Sequence, residues 1–470
     1  MLAVLALAAS STIEAFPSLP QDPLLTLPTR LATGSGLPVD GAPKNCAPLQ
    51  PDDPAITATL TLDTAVDMAL CHHPHVKAAW ATIKVQAGGL GEAKSAYLPK
   101  VQASISQLHN STRFPDGITP DVNNRGRTQY ANLTWRLFDF GVRSANLDSA
   151  SQLLAAALAS RDAVLQKVLT TVIGAYFDAM TAQATLKART QAVAIATDTW
   201  QSTQRREANG VASVHDSLQA STALAKAQLA LSRAQGDAHK SRSVLSYAMG
   251  VSTDTSLQLP DEHAPIQESF VQDLTHWLYE AQAKHPAMMS VRAQWAASQA
   301  KVRSLQAEGW PTVDYTQNHY QNGYPNQGLS STHNTVHSVG LTLSVPVFDG
   351  FALAYKVKGA QAQSEQLQAQ SQDTELQVLM DVVKAHADAV SSLQNLQASQ
   401  QLLNAAHAAV QSSQKRYNKG AADVLELLSS QSAWVDAQQE RVRCLSEWQS
   451  ARLRLLSSAG VLDLNLFKSE

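Results

Sequence analysis

The stretch "WRLFDFGVRSANLD", from Trp135 to Asp148, decides the fold because it joins two kinds of secondary structure. Its first residues alternate between apolar and polar side chains, which predicts a β-strand, and its last residues open a long segment with helical spacing. A second stretch, "LTLSVPVFDGFALAYK" from Leu341 to Lys356, repeats this order, including the Phe-Asp pair and a glycine. The chain therefore passes twice from a strand into a long helix.

The two junctions belong to a tandem repeat that covers most of the chain. Four pairs of landmarks are displaced by 210 or 212 residues: His73-Pro74 with His285-Pro286, Phe138-Asp139 with Phe348-Asp349, Asn209-Gly210 with Lys419-Gly420, and Gly250-Val251 with Gly460-Val461. Internal repeats of this kind determine the whole architecture. We predict two copies of one structural unit, at residues 61–255 and 268–465.

Each copy is predicted to contain two strands, a very long helix and a returning helix. The predicted strands lie at about 99–108, 130–139, 311–320 and 338–348, and polar loops are expected at 109–128 and 321–336. The long helices are predicted at 142–208 and 352–418, where no proline interrupts the pattern. Each would be about 100 Å long at 1.5 Å per residue. Gly210 and Gly420 stand where a left-handed helix stop is expected.

Small and polar side chains dominate these helices, which favours the wall of a hollow assembly over its alternative, a solid elongated bundle. The strands carry one apolar face, and aromatic side chains cluster near their ends. Four aromatic residues are predicted to lie at a membrane interface: Trp135, Phe138, Trp310 and Phe348. This combination is typical of a membrane β-barrel, although a soluble sheet with surface aromatics is the alternative. Four strands cannot close a barrel, so several copies must assemble, and three would give twelve strands around a lumen.

Composition and cysteine spacing argue against a nucleic-acid-binding protein, a disulfide-rich protein and a CxxC metal protein. The net charge of -3, with 16% charged residues, does not favour nucleic acid as a partner. Residues 1–15 resemble a secretory signal, and 16–60 have the proline- and glycine-rich composition of a linker. Cys46, Cys71 and Cys444 are too scattered to predict a disulfide framework or a CxxC metal site.

No catalytic motif, cofactor or metal site is predicted. The sequence contains no GxSxG or HExxH motif, so an enzyme is not expected. "CHHPH" (Cys71–His75) has the residue types of a metal site, but its His-Pro pair recurs in the second repeat without the other histidines. We therefore interpret it as a helix turn.

Two helix-turn motifs carry a resemblance to a known family: "RREANGVASVHDSLQAS" (Arg205–Ser221) and "KRYNKGAADVLELLSSQ" (Lys415–Gln431). Together with the repeat and the Phe-Asp junctions, they make the chain similar to the TolC-like outer-membrane factors, trimeric exit ducts of Gram-negative bacteria. The resemblance implies an α+β membrane protein whose three copies form a twelve-stranded barrel continuous with an α-helical periplasmic tunnel. It also implies as partners an inner-membrane ABC transporter and a periplasmic adaptor protein.

The resemblance also implies roles for residues at the closed end of the tunnel. Tyr417 and Asp216 match a latch, and Glu426 and Ser429 match a constriction ring in which the family has two aspartates. Ala422 stands where the family has a latch arginine, so the chain lacks that latch partner at this position. The alternatives are a solvated helix surface for Glu426 and Asp216, and structural packing for Tyr417.

The N-terminal part of the first repeat, "TLDTAVDMALCHHPHV", resembles the type I secretion branch, whose members export unfolded proteins such as toxins. That branch includes the outer-membrane component of adenylate cyclase–haemolysin exporters. A multidrug or metal efflux channel is the first alternative. A soluble coiled-coil scaffold is the alternative from another class.

Overall fold

A computed structural model describes residues 22–26, 59–115, 121–252, 257–260, 273–322 and 334–461. The signal-like segment 1–15 lies outside these residues. So does the linker 16–60, apart from 22–26, 59 and 60.

The two halves contain the same elements in the same order. The first half contains α1 (Leu62–His72), α2 (Pro74–Ser95), β1 (Lys100–Thr112), β2 (Val122–Phe138), α3 (Val142–Ala208) and α4 (Val214–Met249). The second half contains α5 (Leu274–Lys284), α6 (Pro286–Ala307), β3 (Thr312–Gln321), β4 (Thr335–Ser344), α7 (Ala352–Asn418) and α8 (Val424–Ser458). Helices α3 and α7 have the bounds predicted from the sequence and 67 residues each. In the described part of the chain, none of the helices combines the length and the hydropathy that crossing a membrane requires.

The strands differ from their predicted bounds at the loop ends and, in β4, also at the junction end. The predicted loop 109–128 is partly strand, since β1 continues to Thr112 and pairs with β2 from Val122 onward. Polar side chains suggested a loop there, but backbone pairing in a hairpin does not require apolar side chains. Strand β4 begins at Thr335 and ends at Ser344 rather than at 348. It ends early because Pro346 has no N–H to donate to a neighbouring strand.

The described residues group into two compact units, and each unit draws on both repeats. One, which we call the sheet unit, lies within Met1–Thr29, Ile83–Ala155 and Ala293–Gln368. The other, the helical unit, lies within Arg30–Thr82, Ala156–Arg292 and Ala369–Glu470.

The sheet unit contains one antiparallel sheet in the order β1-β2-β3-β4, with β1 and β4 as edge strands. Its two faces differ in chemistry. One face carries polar contacts, including the ion pair between Arg136 and Asp314 (2.8 Å). On the other face the apolar side chains are exposed, 72% for Val101 and 69% for Leu341. Apolar side chains left open on one face of a sheet indicate contact with lipid or with a partner.

The repeated Phe-Asp junction is a helix start fixed by the aspartate. Asp139 Oδ2 accepts from the backbone N of Arg143 at 3.1 Å, and Asp349 Oδ2 accepts from the backbone N of Leu353 at 2.7 Å. Each aspartate therefore satisfies an N–H that the first turn of a helix leaves open. In both junctions the next two residues are left-handed, Phe140-Gly141 in the first and Gly350-Phe351 in the second. Two consecutive left-handed residues redirect the chain from strand to helix.

The helical unit has an apolar core around the middle of α3 and α7. Its most deeply buried members come from both repeats and include Leu169, Val172, Leu245, Val382, Trp448 and Leu455. Cys71 is disulfide-bonded, although its spacing from the other cysteines predicted no disulfide framework, and Cys444 is a buried free thiol.

A His-Pro pair separates α1 from α2 and α5 from α6. His73 Nδ1 accepts from the backbone N of His75 at 3.2 Å, and His285 Nδ1 accepts from the backbone N of Ala287 at 3.3 Å. Each imidazole therefore caps the helix that begins at the following proline. This capping explains why the His-Pro pair recurs without the other histidines of "CHHPH".

Both capping histidines favour the neutral form. Burial lowers the pKa of His73, and the neighbouring His75 lowers it further. Burial also lowers the pKa of His285, although Asp381 opposes this effect. The geometry agrees, because an Nδ1 atom that accepts a hydrogen bond carries no proton.

We expect the two histidines to lower the free energy of unfolding as the pH falls from about 7 to about 5, while Asp162 and Asp178, whose pKa burial raises, contribute in the opposite direction. The reason is that the unfolded histidines, with an ordinary pKa near 6.5, take up protons more readily than the folded ones. Denaturant unfolding at both pH values would measure the change. The double variant His73→Asn with His285→Asn should flatten the dependence, because an asparagine Oδ1 can still cap the helix. Exposed His239→Asn is the control; equal pH dependence in wild type and double variant would contradict the assignment.

Candidate functional site

The residues that the family resemblance assigns to the closed end of the tunnel lie around the two tight turns of the helical unit. The first turn joins α3 to α4 and the second joins α7 to α8. Gly210 (φ 71°) and Gly420 (φ 74°) are left-handed, as their position after the long helices predicts. In each turn the residue after the glycine donates its N–H back to the carbonyl of an arginine, Arg206 or Arg416, at 2.9 Å. The two turns are therefore built alike.

The helices after the turns begin with side-chain caps. Ser213 Oγ accepts from the backbone N of Asp216 at 3.2 Å, and Asp423 Oδ1 accepts from the backbone N of Glu426 at 2.8 Å. In the first turn Asp216 completes a capping box, since its Oδ2 accepts from the backbone N of Ser213 at 3.0 Å. The Asp216 carboxylate is thus used within its own helix start. Within the described part of one chain, it makes no contact with Tyr417.

Tyr417 is buried and connects the ends of the two long helices. Its hydroxyl lies 3.2 Å from Thr203 Oγ1. Because Thr203 donates its single hydroxyl proton to the carbonyl of Thr199 at 2.8 Å, Tyr417 must be the donor in this contact. The Arg206 guanidinium lies 4.5 Å from the centre of the Tyr417 ring, and Arg206 Nη1 donates to the Tyr417 carbonyl at 3.1 Å. We call Tyr417, Thr203 and Arg206 together the tyrosine lock.

Glu426 has a partner that the sequence did not suggest. Its Oε1 accepts from Arg416 Nη1 at 2.8 Å, and Arg416 Nη2 donates to the carbonyl of Ala421 at 3.2 Å. The ion pair is about half exposed, so it contributes roughly 0.2–1 kcal/mol. Arg416 therefore offsets the negative charge of Glu426 and closes the second turn.

Ser429 and Ala422, the other two residues considered at the second turn, have different surroundings. Ser429 is exposed and lines a cavity of about 460 Å³ together with Lys226, Arg233 and Trp434. Ala422, which replaces the arginine of the family pattern, packs against the apolar cluster that contains Tyr417. At this position the chain contributes apolar contact instead of charge.

The four aromatic residues that were predicted at a membrane interface lie in the sheet unit, at the junction ends of the strands. Trp135 Nε1 donates to the carbonyl of Tyr97 at 2.9 Å. Phe138 packs edge-on against Phe140, which stacks on Trp310 with ring centres 5.5 Å apart. Phe348 is 75% exposed and packs edge-on against Phe351. The aromatic side chains thus form two clusters beside the helix starts.

Sequence reasoning missed Thr203, Arg206 and Arg416. The two arginines could have been found, because they are displaced by 210 residues and both stand in the last turn of a long helix. Thr203 gave no signal, since a threonine in a polar helix is not distinguished from its neighbours. For metal chemistry, the described ranges hold no group of three or more candidate ligands.

The comparisons with known proteins agree with this architecture. The sequence pattern of the family described as "outer membrane efflux protein" matches residues 65–251 and 277–461. Protein CyaE of Bordetella pertussis is 34% identical over 404 residues, which is 86% of this chain and 84% of that protein. The alkaline protease secretion protein AprF of Pseudomonas aeruginosa is 26% identical over 192 residues, 40% of this chain and 39% of that protein.

Solved structures with the same fold are outer-membrane channels. The outer membrane protein VceC of Vibrio cholerae gives a TM-score of 0.74 at 20% identity, covering 85% of this chain and 96% of that one. The outer-membrane channel OprN gives a TM-score of 0.75 at 20% identity, covering 93% and 98%. Identities this low establish the fold and nothing finer.

Proposed function

The chain belongs to the outer membrane efflux protein family, and from that premise we propose that it is the exit duct of a tripartite export machine. It is an outer-membrane protein that extends into the periplasm, and its family and structural neighbours are non-enzymatic transport proteins. In the proposed machine, an inner-membrane ABC transporter and a periplasmic adaptor deliver substrate into the duct. The duct conducts it passively and needs no cofactor.

We propose that three copies form the duct. The observation that carries this proposal is the four-stranded sheet with two edge strands and one exposed apolar face. An unpaired strand edge in lipid leaves backbone groups without partners, so β1 of one copy must pair with β4 of the next. Three copies supply twelve strands, enough for a water-filled lumen. Each copy then contributes both of its repeats, 61–255 and 268–465, to the wall.

We assign the narrow end of the duct to the two turns. Tyr417 and Asp216 are proposed to hold the closed state, and Glu426 and Ser429 to line the constriction. Arg416 bonds to Glu426 within each chain, so a ring of three such pairs would attract cations less strongly than three free carboxylates. A latch between Tyr417 and Asp216 would have to form between neighbouring copies.

The cargo is proposed to be protein. This assignment is supported by the similarity to protein CyaE over most of both chains and by the similarity to the alkaline protease secretion protein AprF. The exported protein would cross in an unfolded form, because a twelve-stranded barrel is too narrow for a folded domain.

Single-channel recording in a planar bilayer tests the proposed duct. Purified protein should insert and produce stepwise conductance, and cross-linking in detergent should stop at the trimer. Repeated insertions without any conductance, confirmed by protein recovered in the bilayer lipid, would count against a duct. A monomer that stays in solution without detergent would instead support a coiled-coil scaffold.

A further inference from the structure

The exposed face of the sheet changes its chemistry along the strands. At the junction end it is apolar, with Val101, Leu133 and Leu343 among its members. At the hairpin end the same face carries basic and titratable side chains. These residues form what we call the basic rim: His109, Arg125, Arg127, His319 and His337.

Side-chain alternation places the basic rim on the apolar face. Along β1, Val101, Ile105 and His109 occur at even spacings and therefore point to the same side. The register adds Arg125 opposite His109, and His319 opposite His337. Arg125, Arg127, His109 and His337 are exposed, and His319 is half-buried. The rim thus continues the lipid-facing surface instead of the polar one.

Among the strand residues that the structure describes, no aromatic side chain on this face replaces the basic rim at its hairpin end. Tyr130 and Tyr320 lie near that end, but they point to the polar face and stack on each other with ring centres 5.0 Å apart. Interface tyrosines would have to point to the apolar face. The hairpin end of that face is therefore occupied by the arginine and histidine side chains of the basic rim, whereas the junction end carries the aromatic clusters.

No acidic residue of the four strands offsets the positive charge of the basic rim on its own face, and Asp121 in the hairpin pairs with Arg113 at 3.4 Å. The four strands contain one acidic residue, Asp314, which lies on the polar face and pairs with Arg136. Arg125 Nε donates to His109 Nδ1 at 3.0 Å, which leaves its two terminal nitrogens without a partner in the described part of the chain. Arg127 has no side-chain partner within the same residues. Unpaired guanidinium groups beside an apolar band are costly in lipid unless anions meet them.

We propose that the basic rim binds the phosphate groups of lipid headgroups in the outer leaflet. The inference rests on the proposed function, which puts the helices in the periplasm and hence the hairpin ends in the outer leaflet. Guanidinium groups bind phosphate oxygens with paired N–H donors, and imidazole N–H groups add single donors. The His319–His337 contact, with the Nδ1 atoms 3.0 Å apart, uses one N–H between the two rings and leaves the Nε2–H of the accepting ring as the donor for phosphate. Charge complementarity and continuity with the apolar band both select a phosphorylated lipid.

Lipid retention tests the proposal. The full-length protein is reconstituted in phosphatidylcholine nanodiscs with lipid A, a phosphorylated glycolipid, and bound lipid is counted by native mass spectrometry. The double variant Arg125→Gln with Arg127→Gln should weaken lipid A binding about thirtyfold, at about 1 kcal/mol per arginine near a membrane surface. The matched control Lys356→Gln with Lys358→Gln removes the same charge at the start of α7, in the same unit. It should bind lipid A like the wild type.

Conductance separates this inference from the proposed function. All variants should conduct in phosphatidylcholine bilayers; if none does, the duct itself is refuted. Channels that conduct while wild type and both double variants retain lipid A equally would overturn the basic rim alone. Equal weakening by the arginine and lysine variants would overturn it too, because charge and not position would then matter. Dissociation of the oligomer by the arginine variant, with lipid retention unchanged, would make this face a contact between copies and also overturn it.

Discussion

Tyr417→Ala should raise single-channel conductance severalfold in planar bilayers, because it removes the tyrosine lock. The change deletes the donor to Thr203, the ring beneath Arg206 and the burial of the phenol at once. Truncating a buried aromatic side chain costs about 3–5 kcal/mol. If the lock is made only in the closed state, that loss shifts the equilibrium toward opening by at least about two orders of magnitude.

Two further variants identify which contact of Tyr417 matters. Tyr417→Phe keeps the ring and loses one hydrogen bond, about 1 kcal/mol, so it should open the channel only slightly. Asp216→Ala breaks the capping box but does not touch the lock within one chain. If the effects of Asp216→Ala and Tyr417→Ala add, the two residues act independently. Non-additivity would indicate a Tyr417–Asp216 latch between copies, and unchanged conductance in Tyr417→Ala trimers would remove Tyr417 from the gate.

Gly250→Ala and Gly460→Ala should each lower the free energy of unfolding of the helical unit by about 3 kcal/mol. Both glycines are left-handed (φ 74°), which costs an alanine about 1–2 kcal/mol. A Cβ atom at Gly250 would lie 2.9 Å from the backbone of His72 and His73, and one at Gly460 would lie 2.9 Å from His285 Cα. Backbone cannot move aside as a flexible side chain can. The repeat thus uses the same close approach twice.

Denaturant unfolding in detergent measures this effect, with Gly236→Ala as the matched control. Gly236 lies within α4, and a Cβ atom there would meet nothing within 4 Å. Because alanine is the better helix former, this control should be neutral or more stable by up to about 1 kcal/mol. A loss at Gly250 no larger than that at Gly236 would contradict the close-approach argument.

Sequence patterns were sufficient for the helices because their signals are local and long. The bounds of α3 and α7 followed from proline-free segments that end before Gly210 and Gly420. The strands were less well predicted at their ends. Hairpin pairing between β1 and β2 continues through polar residues such as Ser111 and Asn123, and the alternating pattern continued past Ser344 although Pro346 interrupts the ladder. Pairing depends on the partner backbone, which the side chains of one strand do not specify.

The sequence by itself determined the tandem repeat, the order of strands and helices, the two left-handed turns and the resemblance to a channel family. All of these depend on residues close together in the chain or on a fixed displacement between two copies. Only the tertiary structure decided which groups meet at the turns. Asp216 caps its own helix, Tyr417 bonds to Thr203 across 214 positions, and Arg206 and Arg416 take different partners although they occupy equivalent places. The physical reason is that a side chain bonds to whatever packing brings within about 3 Å, and packing is set by every helix in the unit together.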